Sequence, residues 1–302
     1  MTRSDPGYGI APPGFRLPDE TRLGPVRLQV ADLARSLAYY ERVLGLRVLQ
    51  RGEGTAVLGD VGGTEPLVEL RERPGARPMP RRGRLGLYHF AILLPDRAAL
   101  GRFLRHLGEI GERAGMSDHF VSEAIYLSDP DGLGIEVYAD RPRHAWRHEA
   151  RQLAMATEPL DVEDLLRAGG REAWSGMPAG TVIGHVHLYV DDLERAAEFY
   201  HQGLGLDKTV WSYPGALFMS AGGYHHHLGT NTWAAGAQPA GPNDARLLDW
   251  EIVVPTAADL AGALASLGSS GAAVEPAAGG GALARDPWGT AVRLRAAAED
   301  VK

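Results

Sequence analysis

The chain contains no cysteine. That absence excludes disulfides, thiolate catalysis and thiolate metal sites, so a bound metal would need ligands from His, Asp or Glu. The sequence also has no apolar run long enough to cross a bilayer and no apolar leader segment at its N-terminus. We therefore expect a cytoplasmic protein that does not contact a membrane.

An excess of basic residues is lacking as well. The 31 Lys and Arg residues are outnumbered by 38 Asp and Glu residues, which gives a net charge of −7. A nucleic-acid partner is not expected, because it would require clustered positive charge. With 302 residues, of which 44% are hydrophobic and 23% charged, the chain has the composition of a globular protein of two ordinary domains.

The chain does contain an internal repeat. Residues 23–33 and 183–193 both begin with alternating apolar residues, as a half-buried strand does, and both reach an Asp-Leu pair. Each is followed by a predicted helix, at 34–44 and 194–204, that carries two adjacent aromatic residues. The two copies therefore share a strand and the helix that follows it.

Both predicted helices end at the same tripeptide, Leu-Gly-Leu, in which Gly45 and Gly205 suit the left-handed position after a helix. Weaker copies of the strand occur at residues 87–94 and 247–254, and predicted helices follow near 98–107 and 257–267. The sequence thus contains four copies of one unit.

The spacing of the copies is regular. The equivalent first-strand residues are Pro25, His89, His185 and Asp249, separated by 64, 96 and 64 positions. We number the copies as modules one to four. Two pairs of modules are joined by an additional segment, which predicts an extended arm at 1–21, a first domain at 22–140, a connector at 141–180 and a second domain at 181–297. Tryptophans in the connector favour an ordered structure.

These features resemble the vicinal oxygen chelate superfamily, which includes glyoxalase I, bleomycin-resistance proteins and extradiol dioxygenases. Two segments, 117–127 and 222–233, are similar to the branch of bacterial catechol 2,3-dioxygenases. The resemblance implies an α+β fold of four βαβββ modules, which form two open barrels of mixed β-sheet with the helices outside.

The resemblance further implies that metal ligands come from the first and last strands of paired modules. The last-strand residues are Glu69 in module one, Glu136 in module two and Arg293 in module four, and we place the third among His225–His227. Pro25 has no ligand atom, Asp249 is not an imidazole and Arg293 is a cation. We expect Glu69 to be a surface or salt-bridged carboxylate.

One ligand set remains. A non-heme Fe(II) oxygenase uses two imidazoles and one carboxylate and leaves the other positions open. His89 and Glu136 from module two with His185 from module three meet this requirement. The familiar extradiol arrangement takes its ligands from modules three and four. We therefore predict that modules two and three share one barrel here, and that modules one and four form the other without metal.

Further histidines would be suited to acid and base catalysis near neutral pH. We predict His226 or His227 as the first choice for this role, followed by His119 and Tyr224. In a strand, His225 and His227 would point to one side and His226 to the other. Phe120, Trp233 and Trp250 are candidates for the walls of a substrate pocket.

The sequence therefore predicts an Fe(II)-dependent extradiol dioxygenase that acts on a catechol with O2 and forms a homo-oligomer. Mn(II) accepts the same ligands and is the alternative cofactor. Two other classes stay open: a glyoxalase-like isomerase or lyase, which usually needs a fourth protein ligand, and a non-catalytic protein that binds an aromatic ligand.

Overall fold

The computed structural model describes residues 7–298, and its strands and helices follow the fourfold repeat. Each module consists of a strand, a helix and three further strands, as the sequence predicts. Module one comprises β1 (Arg22–Val30), α1 (Leu33–Arg42), β2 (Arg47–Gly52), β3 (Thr55–Gly59) and β4 (Val68–Glu72). Module two comprises β5 (Gly86–Leu93), α2 (Arg97–Ile110), β6 (Gly115–Asp118), β7 (Ser122–Ser128) and β8 (Gly134–Asp140).

The connector between the second and third modules is ordered. It contains a 3₁₀ turn (Arg143–Ala145), the short strands β9 (His148–Glu149) and β10 (Gln152–Leu153), and α3 (Val162–Ala168). Module three then comprises β11 (Val182–Tyr189), α4 (Leu193–Ala197), a π-helical turn (Glu198–Gly203), β12 (Asp207–Val210), β13 (Ala216–Ser220) and β14 (Leu228–Asn231). Module four comprises β15 (Arg246–Val254), α5 (Ala257–Ser269), β16 (Val274–Pro276), β17 (Ala282–Arg285) and β18 (Ala291–Ala296).

The same local signals start and end the helices of different modules. Asp32, Asp96 and Asp192 each precede a helix and accept a hydrogen bond from a backbone amide of its first turn. Gly45 and Gly205 have φ angles of 74° and 96°. The left-handed conformation predicted for them after the first and third helices is therefore confirmed.

The modules pair across the connector. One eight-stranded sheet has the order β16-β17-β18-β15-β1-β4-β3-β2 and the other has the order β12-β13-β14-β11-β5-β8-β7-β6. The first strands of modules two and three, β5 and β11, are antiparallel neighbours at the centre of one sheet. Those of modules one and four, β1 and β15, are neighbours in the other. The predicted pairing is confirmed.

Within each module the first strand runs parallel to the last strand, and the remaining pairs are antiparallel, so both sheets are mixed. Helices cover the apolar faces of the sheets and form one large core with them; Phe103 of α2 and Trp250 of β15 are fully buried there. The α+β class is confirmed.

Two segments outside the modules, the N-terminal arm and the connector, pack against module three. The described part of the arm forms a bridge from Ile10 to Lys208 and an ion pair from Arg16 to Asp207. In the connector, Trp146 is 8% exposed and packs in a small apolar cluster with Tyr224. No helix within residues 7–298 is long and apolar enough to span a membrane.

Candidate metal centre

The two central strands of the β5–β11 sheet carry the predicted histidine ligands. In their antiparallel register, His89 lies opposite His187 and Ala91 lies opposite His185. Strand β8 runs parallel to β5 and places Glu136 beside Ala91. Because side chains alternate along a strand, His89, Ala91 and Glu136 share a face of the sheet. The register therefore brings His89, His185 and Glu136 together.

The three side chains converge on one point. Oε2 of Glu136 lies 3.0 Å from Nε2 of His89 and 3.2 Å from Nε2 of His185. One potential ligand atom from each residue lies within 4.8 Å of the other two, and no other such group occurs in the described part of the chain. His89, Glu136 and His185 are only 4%, 2% and 1% exposed.

These distances fit a shared metal ion. Two neighbouring ligands at about 2.1 Å from one octahedral ion are about 3 Å apart. Nε2 of His89 and Oε2 of Glu136 are separated by this distance, 3.0 Å, but they are not aligned as a hydrogen bond. Both ring nitrogens of His89 are buried and have no hydrogen-bond partner. Buried polar atoms without partners are rare in proteins. A divalent cation between this nitrogen and the buried carboxylate would bind both groups and satisfy them.

The protonation states at neutral pH also suit a metal, which requires deprotonated ligands. Burial lowers the pKa of His185 to about 4, although the Glu136 carboxylate opposes this shift. Burial alone would raise the pKa of Glu136, but the neighbouring imidazoles of His185 and His89 hold it well below its usual range. His185 is thus neutral and Glu136 ionised.

A fourth protein ligand is absent at the equivalent position of module three. Just as Glu136 neighbours Ala91 in module two, Gly229 of β14 neighbours His187 in module three. The prediction that a residue among His225–His227 would take the last-strand position is wrong, because these residues form the loop before β14. A Cβ atom at Gly229 would lie 2.9 Å from the ring of His187, so glycine leaves room for that imidazole.

The equivalent position in the β1–β15 sheet is filled by ion pairs. Arg27 takes the place of Ala91 and contacts Glu69, Asp249 and Glu251 at 2.9, 2.8 and 3.1 Å. Arg293 takes the place of Gly229 and lies 3.1 Å from Asp249. Guanidinium groups therefore supply the positive charge in this sheet. The prediction of a salt-bridged Glu69 is confirmed.

A cavity of about 200 Å³ opens beside the His89–Glu136–His185 group. Its walls include several aromatic side chains, Tyr88, Tyr126, Tyr213, Phe218 and Trp233. A wider cleft of about 780 Å³ adjoins this cavity and shares Tyr88, His89 and Tyr126 with it. Trp233 is thus placed as predicted, whereas the same expectation for Trp250 and Phe120 is wrong. Trp250 is buried in the core of the other sheet and Phe120 is exposed outside the cavity.

His119 lies in the cavity wall between two fixed partners. Its Nδ1 is 2.5 Å from the carbonyl oxygen of Ala156, and its Nε2 is 2.6 Å from the hydroxyl of Tyr126. Since a carbonyl only accepts, Nδ1 carries the hydrogen and Nε2 accepts from Tyr126. Burial, together with the charge of Glu136, raises the pKa of Tyr126 well above its usual value. Tyr126 is therefore a neutral hydroxyl at the edge of the ligand group.

The connector forms part of the same wall. Met155, Ala156 and Thr157 line the cavity, and Thr157 forms a hydrogen bond of 2.8 Å with Tyr213 of module three. The backbones of Asp118 and Glu158 pair through two hydrogen bonds of 2.9 Å. The segment from Met155 to Glu158 therefore spans the opening between the second and third modules.

The three consecutive histidines, His225–His227, lie in different environments. His226 lines the cavity, with its ring centroid 4.1 Å from that of His185. His227 is not among the cavity residues, and its Nδ1 accepts a hydrogen bond from the Ala221 amide. Tyr224 is likewise outside the wall, hydrogen-bonded to Tyr138. The positions of His227 and Tyr224 do not support the catalytic roles predicted for them, whereas His226 and His119 reach the cavity.

Sequence reasoning missed His187, Tyr126 and the connector residues of the cavity wall. His187 lies two positions after His185, so strand alternation would have placed both on one face. Tyr126 faces Glu136 across the β7–β8 pair, a position that the β-hairpin predicts once its turn is known. The contribution of the connector had no signal in the sequence, because it depends on the three-dimensional path of an irregular segment.

The four repeated modules and the group formed by His89, Glu136 and His185 define a protein that brings two imidazoles and a carboxylate together from two of its four units. The chain belongs to the Glyoxalase/Bleomycin resistance protein/Dioxygenase superfamily, whose family model matches residues 22–137 and 182–294.

Particular relatives cover the chain to different extents. Catechol-2,3-dioxygenase of Bacillus subtilis (strain 168) is 47% identical over 239 residues, which are 78% of this chain and 83% of that protein. Lactoylglutathione lyase of Neisseria meningitidis is 32% identical over 123 residues, 38% of this chain and 88% of that enzyme. The solved structure of glyoxalase I from Zea mays has a TM-score of 0.54 at 20% identity and covers 91% of this chain and 92% of that one. This last likeness concerns the fold.

Proposed function

We propose that this protein is an Fe(II)-dependent extradiol dioxygenase that cleaves the ring of catechol or a related dihydroxy aromatic compound with O2. The observation that carries the proposal is the group of two imidazoles and one carboxylate, with Gly229 where a fourth ligand would stand, beside an aromatic cavity. The relative from Bacillus subtilis named catechol-2,3-dioxygenase supports the same substrate class.

His89, Glu136 and His185 would hold the metal. Fe(II) on two imidazoles and a carboxylate retains open positions and supplies the redox chemistry of non-heme oxygenases. Mn(II) is the second candidate because it accepts these ligands too. The absent fourth protein ligand favours an oxygenase over a glyoxalase-like lyase, and the complete ligand group disfavours a non-catalytic binding protein.

The cavity residues would bind and orient the aromatic ring. A volume of about 200 Å³ suits a single-ring compound, and Tyr88, Phe218 and Trp233 provide ring faces and edges for packing against it. The burial of His89, Glu136 and His185 limits the contact of the reacting centre with solvent. The outer cleft would serve as the entrance, because it reaches His89 from the surface.

Two histidines, His226 and His119, would take part in proton transfer with the substrate. Burial and the neighbouring His185 hold the pKa of His226 well below its usual range, so its ring is neutral and has a lone pair that can accept the hydrogen of a substrate hydroxyl. On the other side, a His119 ring that has taken up a proton would donate from Nε2 to the oxygen of Tyr126, which frees the Tyr126 hydrogen for a reacting oxygen of the substrate. These assignments give the base role to His226 and the acid role to the His119–Tyr126 pair.

Metal analysis and turnover test the proposal together. The protein is purified without air, loaded with Fe(II) or Mn(II), and mixed with catechol and O2, and O2 uptake is measured alongside the yellow ring-fission product. We expect both signals with Fe(II), and neither signal for Glu136→Gln. His144→Gln, on the connector surface, is the matched control and should retain both. Lyase activity on a glutathione hemithioacetal without O2 uptake would support the alternative instead.

A further inference from the structure

A chain of three side chains leads from the C-terminal end of β8 into the cavity. Asp140 ends β8, the strand that also carries Glu136, and lies on the same face because the two residues are four positions apart. Its Oδ1 is 2.9 Å from Nε2 of His225. Nδ1 of His225 is in turn 2.7 Å from Nδ1 of His226, the histidine that lines the cavity.

The hydrogen-bonding capacities along this chain determine the position of each hydrogen. A carboxylate only accepts, so the hydrogen between Asp140 and His225 is on Nε2 of His225. In a neutral His225 ring, Nδ1 then has a lone pair and accepts from Nδ1 of His226. The hydrogen of the neutral His226 ring is thus on Nδ1, and Nε2 has the lone pair.

We propose that Asp140 and His225 are positioning residues that fix the tautomer of His226, so that its unprotonated Nε2 is presented to the cavity. No residue within the described range 7–298 forms a hydrogen bond with that nitrogen. It is therefore available to a bound molecule. The second nitrogen of an imidazole commonly sets the tautomer of the first in this way.

The surroundings hold the chain of side chains in place. His225 is completely buried and packs against Trp146, with ring centroids 5.3 Å apart. The hydroxyl of Tyr224 donates to the same oxygen of Asp140 at 3.3 Å and is 2.6 Å from the hydroxyl of Tyr138. Asp140 thus accepts from two donors, and its side chain is 26% exposed, which leaves it in contact with solvent.

The proposed tautomer determines which ligand groups can form a hydrogen bond with His226. A ligand hydroxyl that approaches His226 donates its hydrogen to Nε2, whereas a carbonyl or carboxylate oxygen at the same place would face a lone pair. The consequence for catalysis rests on the proposed dioxygenase function, in which the ligand is a dihydroxy aromatic compound. The tautomer itself depends only on Asp140, His225 and His226.

The direct test is nitrogen NMR of the full-length protein labelled with ¹⁵N-histidine and loaded with Zn(II), a diamagnetic ion that binds imidazole and carboxylate ligands. The His226 signals are assigned by comparison with His226→Gln. We expect Nδ1 of His226 to be protonated and Nε2 to have the chemical shift of an unprotonated, pyridine-like nitrogen. A protonated Nε2 would overturn the proposal, because it would mean that His225 donates towards His226.

Two variants test the origin of the tautomer. Asp140→Asn can donate as well as accept, so it allows His225 to reverse, and we expect a protonated Nε2 to appear at His226. His225→Gln retains one donor and one acceptor and should keep Nε2 unprotonated. His144→Gln is the control for the loss of a histidine elsewhere. An unchanged His226 spectrum in folded Asp140→Asn would contradict the assigned role of Asp140.

Kinetics separate this inference from the proposed function. For the Fe(II)-loaded protein and catechol, we expect Asp140→Asn to lower kcat by about 10- to 100-fold and to change KM by less than about twofold, in the range found for misplaced acid–base groups. Equal kcat values for Asp140→Asn and the unmodified protein would contradict the catalytic consequence. If the protein shows the expected tautomer but turns over no catechol, the inference stands and the proposed function fails.

Discussion

At the level of single residues, the two sheets differ at a few equivalent positions. Where the β5–β11 sheet has Ala91 and Gly229, the β1–β15 sheet has Arg27 and Arg293. Small residues leave space at the centre of the first sheet, whereas guanidinium groups fill the second and pair with its carboxylates. The same backbone thus supports a candidate metal site in one sheet and a network of ion pairs in the other.

Gly229 gives a direct test of this space requirement. In Gly229→Ala, the new methyl group would lie 2.9 Å from the His187 ring. We expect a loss of about 1–3 kcal/mol in the free energy of unfolding, as is usual when a tight core is overpacked. Chemical denaturation measures this loss.

The matched control for this change is Gly108→Ala. Gly108 lies in α2, and a Cβ atom there would have no heavy atom within 4 Å. We expect it to be neutral or to stabilise the protein by up to about 1 kcal/mol, because alanine is the better helix former. Equal effects of the two substitutions would show that the packing against His187 is not tight.

The ligands were predictable from the sequence, whereas several of their neighbours were not. His89 and His185 stand at equivalent positions of a repeat, and Glu136 follows from the same alignment. The tract His225–His227 misled the prediction because its spacing suits a strand, although it forms a loop. The roles of Asp140 and His225 depend on contacts between β8 and that loop, and such contacts have no periodic signal.

At the level of elements, the connector joins two modules and closes their cavity. Its ordered structure followed from its tryptophans, and it contains the helix α3 (Val162–Ala168). Its place in the cavity wall is set by long-range contacts, such as the bond from Thr157 to Tyr213 across 56 positions. Local sequence patterns contain no information of this range.

A double-mutant cycle tests the attachment of the connector. Thr157→Val and Tyr213→Phe remove the same hydrogen bond, so each should cost about 0.5–1 kcal/mol of unfolding free energy, and the double variant should cost no more than the larger single effect. Denaturant unfolding gives the energies, and hydrogen exchange should be faster at residues 154–158 in all three variants. Strictly additive effects would show that the two side chains do not interact.

At the level of the whole molecule, helices of one sheet contact turns of the other. Tyr40 of α1 donates to Asp129, which follows β7, and Tyr200 of module three donates to Asp286 in the equivalent turn of module four. The tyrosine and aspartate of each pair belong to different sheets. These contacts between the sheets became visible only with the pairing of the modules.

The buried Asp129 makes stability depend on pH. Burial raises its pKa to about 7, although amide hydrogen bonds from Leu133 and Asp131 oppose the shift. The folded state therefore retains a proton that the unfolded chain loses near pH 4. The free energy of unfolding should fall as pH rises from about 4 to 7, by an amount that approaches roughly 4 kcal/mol from this group.

The variant Asp129→Asn isolates this effect. Its side-chain oxygen can still accept the amide hydrogens, and its amide group can donate to the oxygen of Tyr40. Because the variant has no proton to lose, its stability should decline less than that of the unmodified protein between pH 4 and 7. Denaturant titrations at several pH values measure both curves. Parallel curves would contradict a raised pKa at Asp129.

The central claim is that one divalent metal is held between modules two and three. It is tested by measuring, without air, the Fe(II) bound per chain in the unmodified protein, in His185→Ala and in Asp249→Ala. Asp249 is the residue of the other sheet that is equivalent to His185. We predict one Fe(II) per chain in the unmodified protein and in Asp249→Ala, and less than about a tenth of that in His185→Ala, since loss of one of three ligands removes most of the affinity. Full retention of iron by folded His185→Ala would contradict the account.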